Sequence, residues 1–343
     1  MTQEQLAEQL RTRGYPAYRA GQIRRWLDDG VTDFDAMTNL PKVLRQELAA
    51  LYTVPGVTIA RKLVSAIDGT VKYLYRLDDG ETVESVLMEY EHGWSQCIST
   101  QVGCKMGCTF CATGMGGFIR DLSAAEMMAQ IETAQRDAGV RVSSVVLMGM
   151  GEPLDNYDNV VRFLRMLGEE GGVHIGMRHI SLSTCGLVPQ IRRLMKEQIP
   201  LTLSVSLHAP NDAIRTRTMP VARRYGMEEL LDACRAYIAE TGRRISFEYA
   251  MIDGVNDTDD CARELADRLH GMLCHVNLIP VNAVAGKSQR RSSRRRVEEF
   301  TEILQKRGIN VTVRRTLGAD INASCGQLRR QADQSDNGKG ETS

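Results

Sequence analysis

Between residues 97 and 315 the sequence alternates short apolar segments with amphipathic segments. The apolar segments are CISTQV (97–102), SSVVLMGM (143–150), RHISLST (178–184), LTLSVSLH (201–208), RISFEYAMI (244–252), CHVNLIPV (274–281) and INVTVRR (309–315). Helical periodicity follows each of the first six, at 122–138, 157–168, 189–197, 227–240, 257–270 and 294–307. Six successive β-α units predict an α/β fold in which helices cover a parallel sheet, open or closed into a partial barrel.

Two regions with other patterns of apolar residues precede the alternating region. Leucine and isoleucine recur at helical intervals through residues 1–55, which predicts a small helical domain. Residues 56–94 are rich in β-branched residues and are interrupted by Asp68-Gly69 and Asp79-Gly80, dipeptides that favour hairpin turns. We therefore expect a β-rich extension over 56–94, the α/β domain over 95–330 and a disordered polar tail over 331–343.

Charge and hydropathy restrict the environment of the chain. The 343 residues include 43 basic and 43 acidic ones, so the net charge indicates no long-range attraction to nucleic acid or membrane. No segment approaches the roughly 18 apolar residues of a membrane span, and the polar start lacks the apolar core of a signal peptide. We expect a cytoplasmic protein, and in that reducing compartment clustered cysteines are ligands or catalysts more often than disulfides.

Three of the nine cysteines, Cys104, Cys108 and Cys111, lie in the segment CKMGCTFCATG. Structural zinc and electron-carrying iron-sulfur clusters usually take four protein ligands, and no second cysteine pair accompanies this array. Three thiolates on a four-iron cluster would leave one iron open to a substrate. Three buried free cysteines are the simpler alternative, but their spacing on a glycine-rich loop favours a cluster.

The array resembles that of the radical S-adenosylmethionine (SAM) superfamily. The Cys-x3-Cys-x2-Cys spacing with Phe110 before the last cysteine is similar to the superfamily motif, and GMGEP (149–153) resembles its strand-end motif for the SAM amino group. The resemblance implies a partial (β/α)6 barrel. It also implies one 4Fe-4S cluster on Cys104, Cys108 and Cys111, with SAM on the open iron.

A narrower resemblance covers residues 15 to 330. The segments that carry it are QCISTQVGC with Cys97, STCG (183–186), SLHAPND (206–212), MPV (219–221), NVTVRRTLGADI (310–321) and DINASCGQLR with Cys325. They resemble the RlmN/Cfr family of radical SAM RNA methyltransferases. This resemblance implies methylation of carbon 2 of adenosine, at position 2503 of 23S rRNA and position 37 of some tRNAs. It further implies two SAM per turnover and an electron donor of flavodoxin or ferredoxin type.

The family resemblance also implies a role for individual residues. Cys325 would carry the methyl group as S-methylcysteine, Cys97 would release the product through a disulfide, and Glu84 would be the general base. The residues implied to contact SAM are Gly151, Glu152, Ser183, Ser206, Leu207, His208 and Asn282. We interpret the other cysteines, Cys185, Cys234, Cys261 and Cys274, as packing residues.

Two other functions remain open from the sequence. Cfr-type enzymes methylate carbon 8 of the same rRNA adenosine, although SLHAPND and the accessory helices favour the RlmN branch. A non-catalytic iron-sulfur protein that binds RNA or senses redox state would need neither Cys97 nor Cys325. Candidate phosphate-binding residues are KSQRRSSRRR (287–296), Arg314, Arg315, Arg329 and Arg330, together with Arg11, Arg13, Arg19, Arg24 and Arg25 near the amino terminus. Such runs can also be solvated loops.

Overall fold

The structure is a computed structural model that describes residues 3–168, 173–281, 289–321 and residue 323.

The amino-terminal helices pack around an apolar core of their own. Helices α1 (Gln3–Thr12), α2 (Arg19–Asp28) and α3 (Lys42–Leu51) come first. Their inward side chains include Leu10, Ile23 and Leu44, each no more than 1% exposed. Arg24 in α2 forms an ion pair with Glu132, so this helical region contacts the rest of the molecule.

One ten-stranded sheet joins the β-rich extension to the α/β region. Its strands are β1 (Val57–Val64), β2 (Val71–Leu77), β3 (Thr82–Tyr90), β4 (Gly93–Cys97), β7 (Val142–Leu147), β8 (Ile180–Thr184), β9 (Thr202–Ser206), β10 (Ile245–Met251), β11 (Cys274–Pro280) and β12 (Val311–Val313), which neighbour one another in that order. The pairs from β1 to β4 are antiparallel, and those from β4 to β12 are parallel. Among the described residues the last strand does not pair with the first, which corresponds to an open, partial barrel.

The two predicted hairpin turns are confirmed. Gly69 and Gly80 have φ angles of 72° and 90° and lie in the turns between β1 and β2 and between β2 and β3. Glycine adopts such positive φ angles without steric cost, so each Asp-Gly pair reverses the chain tightly. The extension is therefore a three-stranded meander that continues directly into β4.

Helices cover the outer face of the parallel strands. They are α4 (Ala124–Ala138), α5 (Tyr157–Leu167), α6 (Val188–Lys196), α7 (Asp212–Thr218), α8 (Met227–Thr241), α9 (Asp259–Leu269) and α10 (Arg294–Lys306). Helix α4 begins at a capping box in which Ser123 and Glu126 satisfy each other's backbone amides. The short helix α7 was not predicted from the sequence. No described helix is long and apolar enough to cross a membrane.

The predicted first barrel strand was placed wrongly. The strand β4 ends at Cys97, whereas Gln101–Gly103 forms β5, which pairs with β6 (Phe118–Asp121) in a separate two-stranded sheet. The chain leaves the large sheet because the amides of Thr100 and Gln101 donate to the carbonyl of Met150 instead of to a neighbouring strand. Cys97 therefore lies at the carboxyl end of a barrel strand.

The inner face of the barrel is polar. In β9, Leu203 and Val205 belong to the main apolar core beneath the helices, whereas Ser204 and Ser206 alternate with them. Strands β8, β10 and β11 repeat this pattern with Ser183, Glu248 and Asn277 at inward positions. Because successive side chains of a strand point to opposite faces, this alternation lines the interior with hydroxyl, carboxyl and amide groups.

Candidate active site

A cavity of about 380 Å³ lies at the carboxyl ends of the parallel strands. The predicted site residues that line it are Cys97, Cys104, Cys108, Cys111, Gly151, Glu152, Ser183, Ser206 and His208. Carboxyl ends of parallel strands meet at one edge of a sheet, which is where α/β proteins bind ligands. Asn282 and Cys325, which were also predicted to act here, lie outside the described residues.

The three clustered cysteines occupy a loop that backbone hydrogen bonds hold in place. The amide of Cys104 donates to Gly117 at 2.8 Å, and the amide of Thr109 donates to Thr218 at the end of α7 at 2.9 Å. Burial is the largest influence that raises the pKa of Cys104 and of Cys108 to about 12, so both thiols stay protonated until a metal displaces the proton. No group of three His, Cys, Asp or Glu side chains among the described residues could hold a single metal ion.

Three soft thiol ligands around one roomy cavity fit an iron-sulfur cluster better than a lone ion. Cys104, Cys108 and Cys111 would hold such a cluster at the cavity. The donor set and its position therefore agree with the cluster that the superfamily motif implies.

The loop GMGEP passes very close to the segment after β4, and its glycines make that approach possible. A Cβ atom on Gly149 would lie 2.4 Å from the carbonyl oxygen of Ile98. Gly151 has a φ of 103°, and a Cβ there would lie 2.6 Å from the Cβ of Gln101. Side chains at either position would push the loop away from the barrel. The glycines thus place the next residue, Glu152, in the cavity wall.

Glu152 presents a buried carboxyl group at the cavity. Its Oε2 accepts a hydrogen bond from the amide of Cys185 at 2.7 Å, and its Oε1 accepts one from the amide of Leu154 at 3.0 Å. Burial raises the pKa of Glu152, an effect that these hydrogen bonds oppose. A fixed carboxyl group with spare acceptor sites suits a positively charged ammonium ligand, which is the group that the superfamily motif is expected to bind.

His208 is held in one conformation and one tautomer. Its φ of 55° is unusual for a residue other than glycine. The ring Nδ1 accepts a hydrogen bond from the amide of Ala250 at 2.8 Å, which leaves the proton on Nε2. Phe110 of the cysteine loop packs edge-on against the ring at 4.9 Å. Burial, and secondarily the charge of Arg215, lower the pKa of His208 to about 3.

This buried histidine predicts a pH-dependent loss of stability. Because the pKa of His208 falls from 6.5 to about 3 on folding, the unfolded chain takes up the proton first. The free energy of unfolding should therefore decrease as the pH falls below about 6.5, by about 1 kcal/mol between about pH 7 and pH 5.5. Urea unfolding of the metal-free protein would measure this, with His208→Asn as the control because asparagine tolerates positive φ and keeps an acceptor. Equal pH dependence in both proteins would contradict the prediction.

The segment before the predicted methyl carrier packs against a buried cluster that includes Cys97. Leu317 and Ala323 contact a buried cluster formed by Val86, Met88 and Cys97. All five residues line the cavity. Ala323 precedes Cys325 by two positions, so the chain returns to the cavity immediately before that cysteine.

Hydrogen bonds join residues 318–320 to the turn of the first hairpin, residues 65–68. Asp320 accepts hydrogen bonds from Ser65 Oγ at 2.6 Å and from the amide of Ala66 at 2.8 Å. In return, the amide of Gly318 donates to Asp68 at 2.8 Å. The carboxyl-terminal segment is thus anchored on the turn between β1 and β2.

Comparison with known proteins identifies the family. Residues 98–269 match the radical SAM superfamily, and residues 1–54 match the ribosomal RNA large subunit methyltransferase N-terminal domain. A protein of Alkaliphilus oremlandii named "Probable dual-specificity RNA methyltransferase RlmN" is 54% identical over 331 residues, which make up 96% of each chain. The chain belongs to the RlmN family of radical SAM RNA methyltransferases.

Further relatives agree with this assignment. The protein of the same name from Clostridium tetani is 52% identical over 92% of this chain and 90% of its own. The crystal structure of a radical SAM methyltransferase from Sphaerobacter thermophilus superposes with a TM-score of 0.89 at 48% identity, and the match covers 95% of this chain and 97% of the other. The predicted α/β fold with a radical SAM barrel and a helical amino-terminal region is confirmed.

Two described residues that the RlmN resemblance assigns to the site are not among those that line the cavity. Leu207 is fully buried in the main apolar core, and its backbone amide donates to the carbonyl of Glu248. Glu84 is also fully buried, and its carboxylate lies 3.0 Å from the ammonium group of Lys72. Glu84 belongs to the same face of β3 as Val86 and Met88, which do line the cavity.

The structure adds site residues of this RlmN-family protein that the sequence did not reveal. Cys185 is buried, as its interpretation as a packing residue predicts, and it also lines the cavity. Glu248 is 3% exposed at the cavity and accepts a hydrogen bond from Asn277 at 2.7 Å. Burial raises the pKa of Glu248. A charged residue within the apolar strand RISFEYAMI was the available signal for it.

The arginines of the predicted basic patches differ in whether they form ion pairs or are exposed at the cavity. Arg294 and Arg295 form ion pairs with glutamates one turn further along α10, and Arg296 pairs with Asp259. In contrast, Arg314 and Arg315 are exposed and line the cavity. Lys287, Arg329 and Arg330 lie outside the described residues. Among the described members of the predicted basic patches, Arg314 and Arg315 are therefore the ones that line the RlmN-family cavity.

Proposed function

We propose that this enzyme methylates carbon 2 of adenosine in RNA through an S-methylcysteine at Cys325. The expected targets are position 2503 of 23S rRNA and position 37 of some tRNAs, as the family resemblance implies. The observation that carries this proposal is the packing of Ala323 and Leu317 against the cluster of Val86, Met88 and Cys97, at the cavity lined by the three clustered cysteines. It supports a reaction in which two further thiols act beside the cluster.

The target carbon explains why a radical is needed. Carbon 2 of adenine lies between two ring nitrogens and is electron-poor, so it does not attack the methyl sulfonium of SAM. A cluster on Cys104, Cys108 and Cys111, with bound SAM, would supply a carbon radical that removes a hydrogen atom from a methyl group. The protein's own task is then to present a methyl group between that radical and the adenine ring.

Cys325 and Cys97 would share the work of carrying and releasing the methyl group. The Cys325 thiolate would first take a methyl group from one SAM by nucleophilic displacement. After the methylene carbon has bonded to adenine, the Cys97 sulfur would attack the Cys325 sulfur and break the carbon–sulfur bond. The two sulfurs end as a disulfide, the proton lost by Cys97 completes the methyl group, the ring hydrogen leaves as a proton to the base, and one electron passes to the flavodoxin- or ferredoxin-type redox partner. A reductant must reopen the disulfide before the next turnover.

Glu84 is our candidate for the base that removes the ring proton. Its carboxylate is excluded from solvent. Glu84 lies two positions before Val86, a residue that lines the cavity, on the same face of β3. The ammonium group of Lys72 lies 3.0 Å from this carboxylate and forms an ion pair with it. This arrangement supports a proton acceptor that solvent does not reach.

The remaining requirements follow from the same scheme. Each turnover would consume two SAM, one as methyl donor and one as radical source, and an electron donor of flavodoxin or ferredoxin type would reduce the cluster. Gly151, Glu152, Ser183, Ser206, Leu207, His208 and Asn282 are the proposed SAM contacts. A disulfide that must be reopened in every cycle suits a reducing compartment, which supports a cytoplasmic location.

The exposed arginines at the cavity predict which surface binds RNA phosphate. Replacing Arg314 and Arg315 together with glutamine should weaken RNA binding about tenfold or more and lower the salt dependence of log Kd by roughly one to two. Arg294→Gln with Arg295→Gln is the matched control, because those charges already pair with glutamates. Binding would be measured by fluorescence anisotropy with a labelled rRNA fragment over a range of salt concentrations. Equal losses in the two double variants would contradict the prediction.

Nucleoside analysis tests the proposed function. Digested rRNA and tRNA from cells with and without the gene should differ in 2-methyladenosine, and adding back the gene should restore it. Loss of 8-methyladenosine with 2-methyladenosine intact would replace our proposal with the Cfr-type reaction. Failure of the reconstituted, reduced protein to form 5′-deoxyadenosine from SAM would instead favour a binding or sensing role.

A further inference from the structure

Arg215 is the largest fully buried side chain in the described part of the protein. Its guanidinium group donates to the carbonyl of Cys185 at 2.7 Å, to that of Leu207 at 3.2 Å and to that of Tyr225 at 3.4 Å. A further contact reaches the carbonyl of Ser206 at 3.4 Å. One side chain of α7 thus joins the residues that follow β8 and β9 at the edge of the cavity.

Arg215 forms no ion pair with a described carboxylate, although the carboxylate of Asp212 in the same helix acts on its charge. No Asp or Glu oxygen of the described residues lies within 4.0 Å of its guanidinium. Arg193, Arg294 and Arg295, in contrast, form ion pairs at the surface. A buried cation that is bonded only to neutral carbonyls retains an unfavourable solvation energy. Negative charge beyond that of Asp212 would compensate for it further.

The cysteine loop is the neighbour that can supply that negative charge. The amide of Thr109 donates to Thr218 of the same helix at 2.9 Å, so the loop rests on the end of α7. Cys185, whose carbonyl accepts the hydrogen bond of Arg215 at 2.7 Å, lines the same cavity as Cys104, Cys108 and Cys111. The amide of Cys185, whose carbonyl binds Arg215, donates to Glu152 in the cavity wall.

We propose that Arg215 is a positioning residue whose fixed positive charge favours reduction of the cluster, while its fork of hydrogen bonds aligns the strand ends that face SAM. Three thiolates give a four-iron cluster a net negative charge, and reduction adds an electron to it. A nearby buried cation stabilises the more negative state, which raises the reduction potential. The inference rests on the family's cluster and holds for either target carbon of adenine.

Separating charge from hydrogen bonding tests the proposal. Arg215→Gln removes the charge and keeps two N–H donors, whereas Arg215→Lys keeps the charge and loses the planar fork. Arg243→Gln is the matched control, since Arg243 also binds a carbonyl, that of Leu201, but at the amino end of β9. The full-length proteins would be reconstituted with iron and sulfide, and their midpoint potentials measured by titration with dithionite under electron paramagnetic resonance.

We expect the potential of Arg215→Gln to become more negative, while Arg215→Lys and Arg243→Gln stay close to the wild type. Loss of the cluster from Arg215→Gln with its retention in Arg215→Lys would also support a charge effect. Equal shifts in both Arg215 variants, an unchanged potential in Arg215→Gln, or loss of the cluster from both would overturn the charge effect. Since these measurements need no RNA, their failure is distinct from failure of the proposed methylation.

Discussion

Replacing Cys97 with alanine is expected to leave the enzyme covalently attached to its RNA substrate. The methylene group of Cys325 can still bond to adenine, but no thiol remains in the cavity position from which Cys97 would attack the Cys325 sulfur. Release of methylated RNA should therefore stop. Denaturing gels of the reaction with labelled RNA would show a band that migrates more slowly, and protease treatment should remove it.

The controls distinguish a chemical role of Cys97 from a packing role. Cys261→Ala removes a buried thiol from α9, away from the cavity, and should release product normally. Adding Cys325→Ala to Cys97→Ala should abolish the attached species, because the methyl carrier is gone. If Cys97→Ala releases product at the normal rate, the resolving role is wrong.

The second large effect is expected at Glu84. Changing Glu84 to Gln removes the proposed proton acceptor while keeping the size of the side chain, and the reaction should slow by about 10²–10⁴-fold. The same change takes the carboxylate away from Lys72, 3.0 Å away in a region closed to solvent. Loss of one partner of a buried ion pair is expected to lower the free energy of unfolding by about 3 kcal/mol.

A double variant separates these two consequences. Combining Glu84→Gln with Lys72→Met removes both buried charges and should recover much of the stability, but not the activity. Thermal unfolding and single-turnover assays on the four proteins would measure both quantities. Recovery of activity together with stability would show that Glu84 is structural and would reject it as the base.

The sequence predicted the architecture well because its strongest signals are periodic. Alternation of apolar strands and amphipathic helices specified the parallel sheet, and two Asp-Gly dipeptides specified the hairpins. Motifs at strand ends predicted side chains that the fold gathers around one cavity, among them Glu152, Ser183 and His208. Local pattern sufficed there because the position of a residue along its strand determines the edge at which it lies.

Features that depend on distant partners were not predictable in this way. The strand β4 ends earlier than its apolar pattern suggests because Met150 accepts hydrogen bonds from the following segment. The partners of Arg215 lie up to 30 residues away, so its sequence context resembled an exposed helical arginine. Likewise, Lys72 of β2 and Glu84 of the neighbouring strand β3 form an ion pair. Nothing in either segment alone indicates that such a buried pair forms.

The hydrogen bonds that anchor the carboxyl-terminal segment at Asp320 can form only late in the synthesis of the chain. Asp320 bonds to Ser65 and Ala66 across 255 and 254 positions of the chain. The helical region, the hairpins and the cysteine loop are all translated before Asp320 leaves the ribosome. A nascent or prematurely terminated chain can therefore contain every predicted cluster ligand and still lack Cys325, the proposed methyl carrier. Only a polypeptide that extends through Cys325 combines the predicted cluster ligands with that proposed carrier.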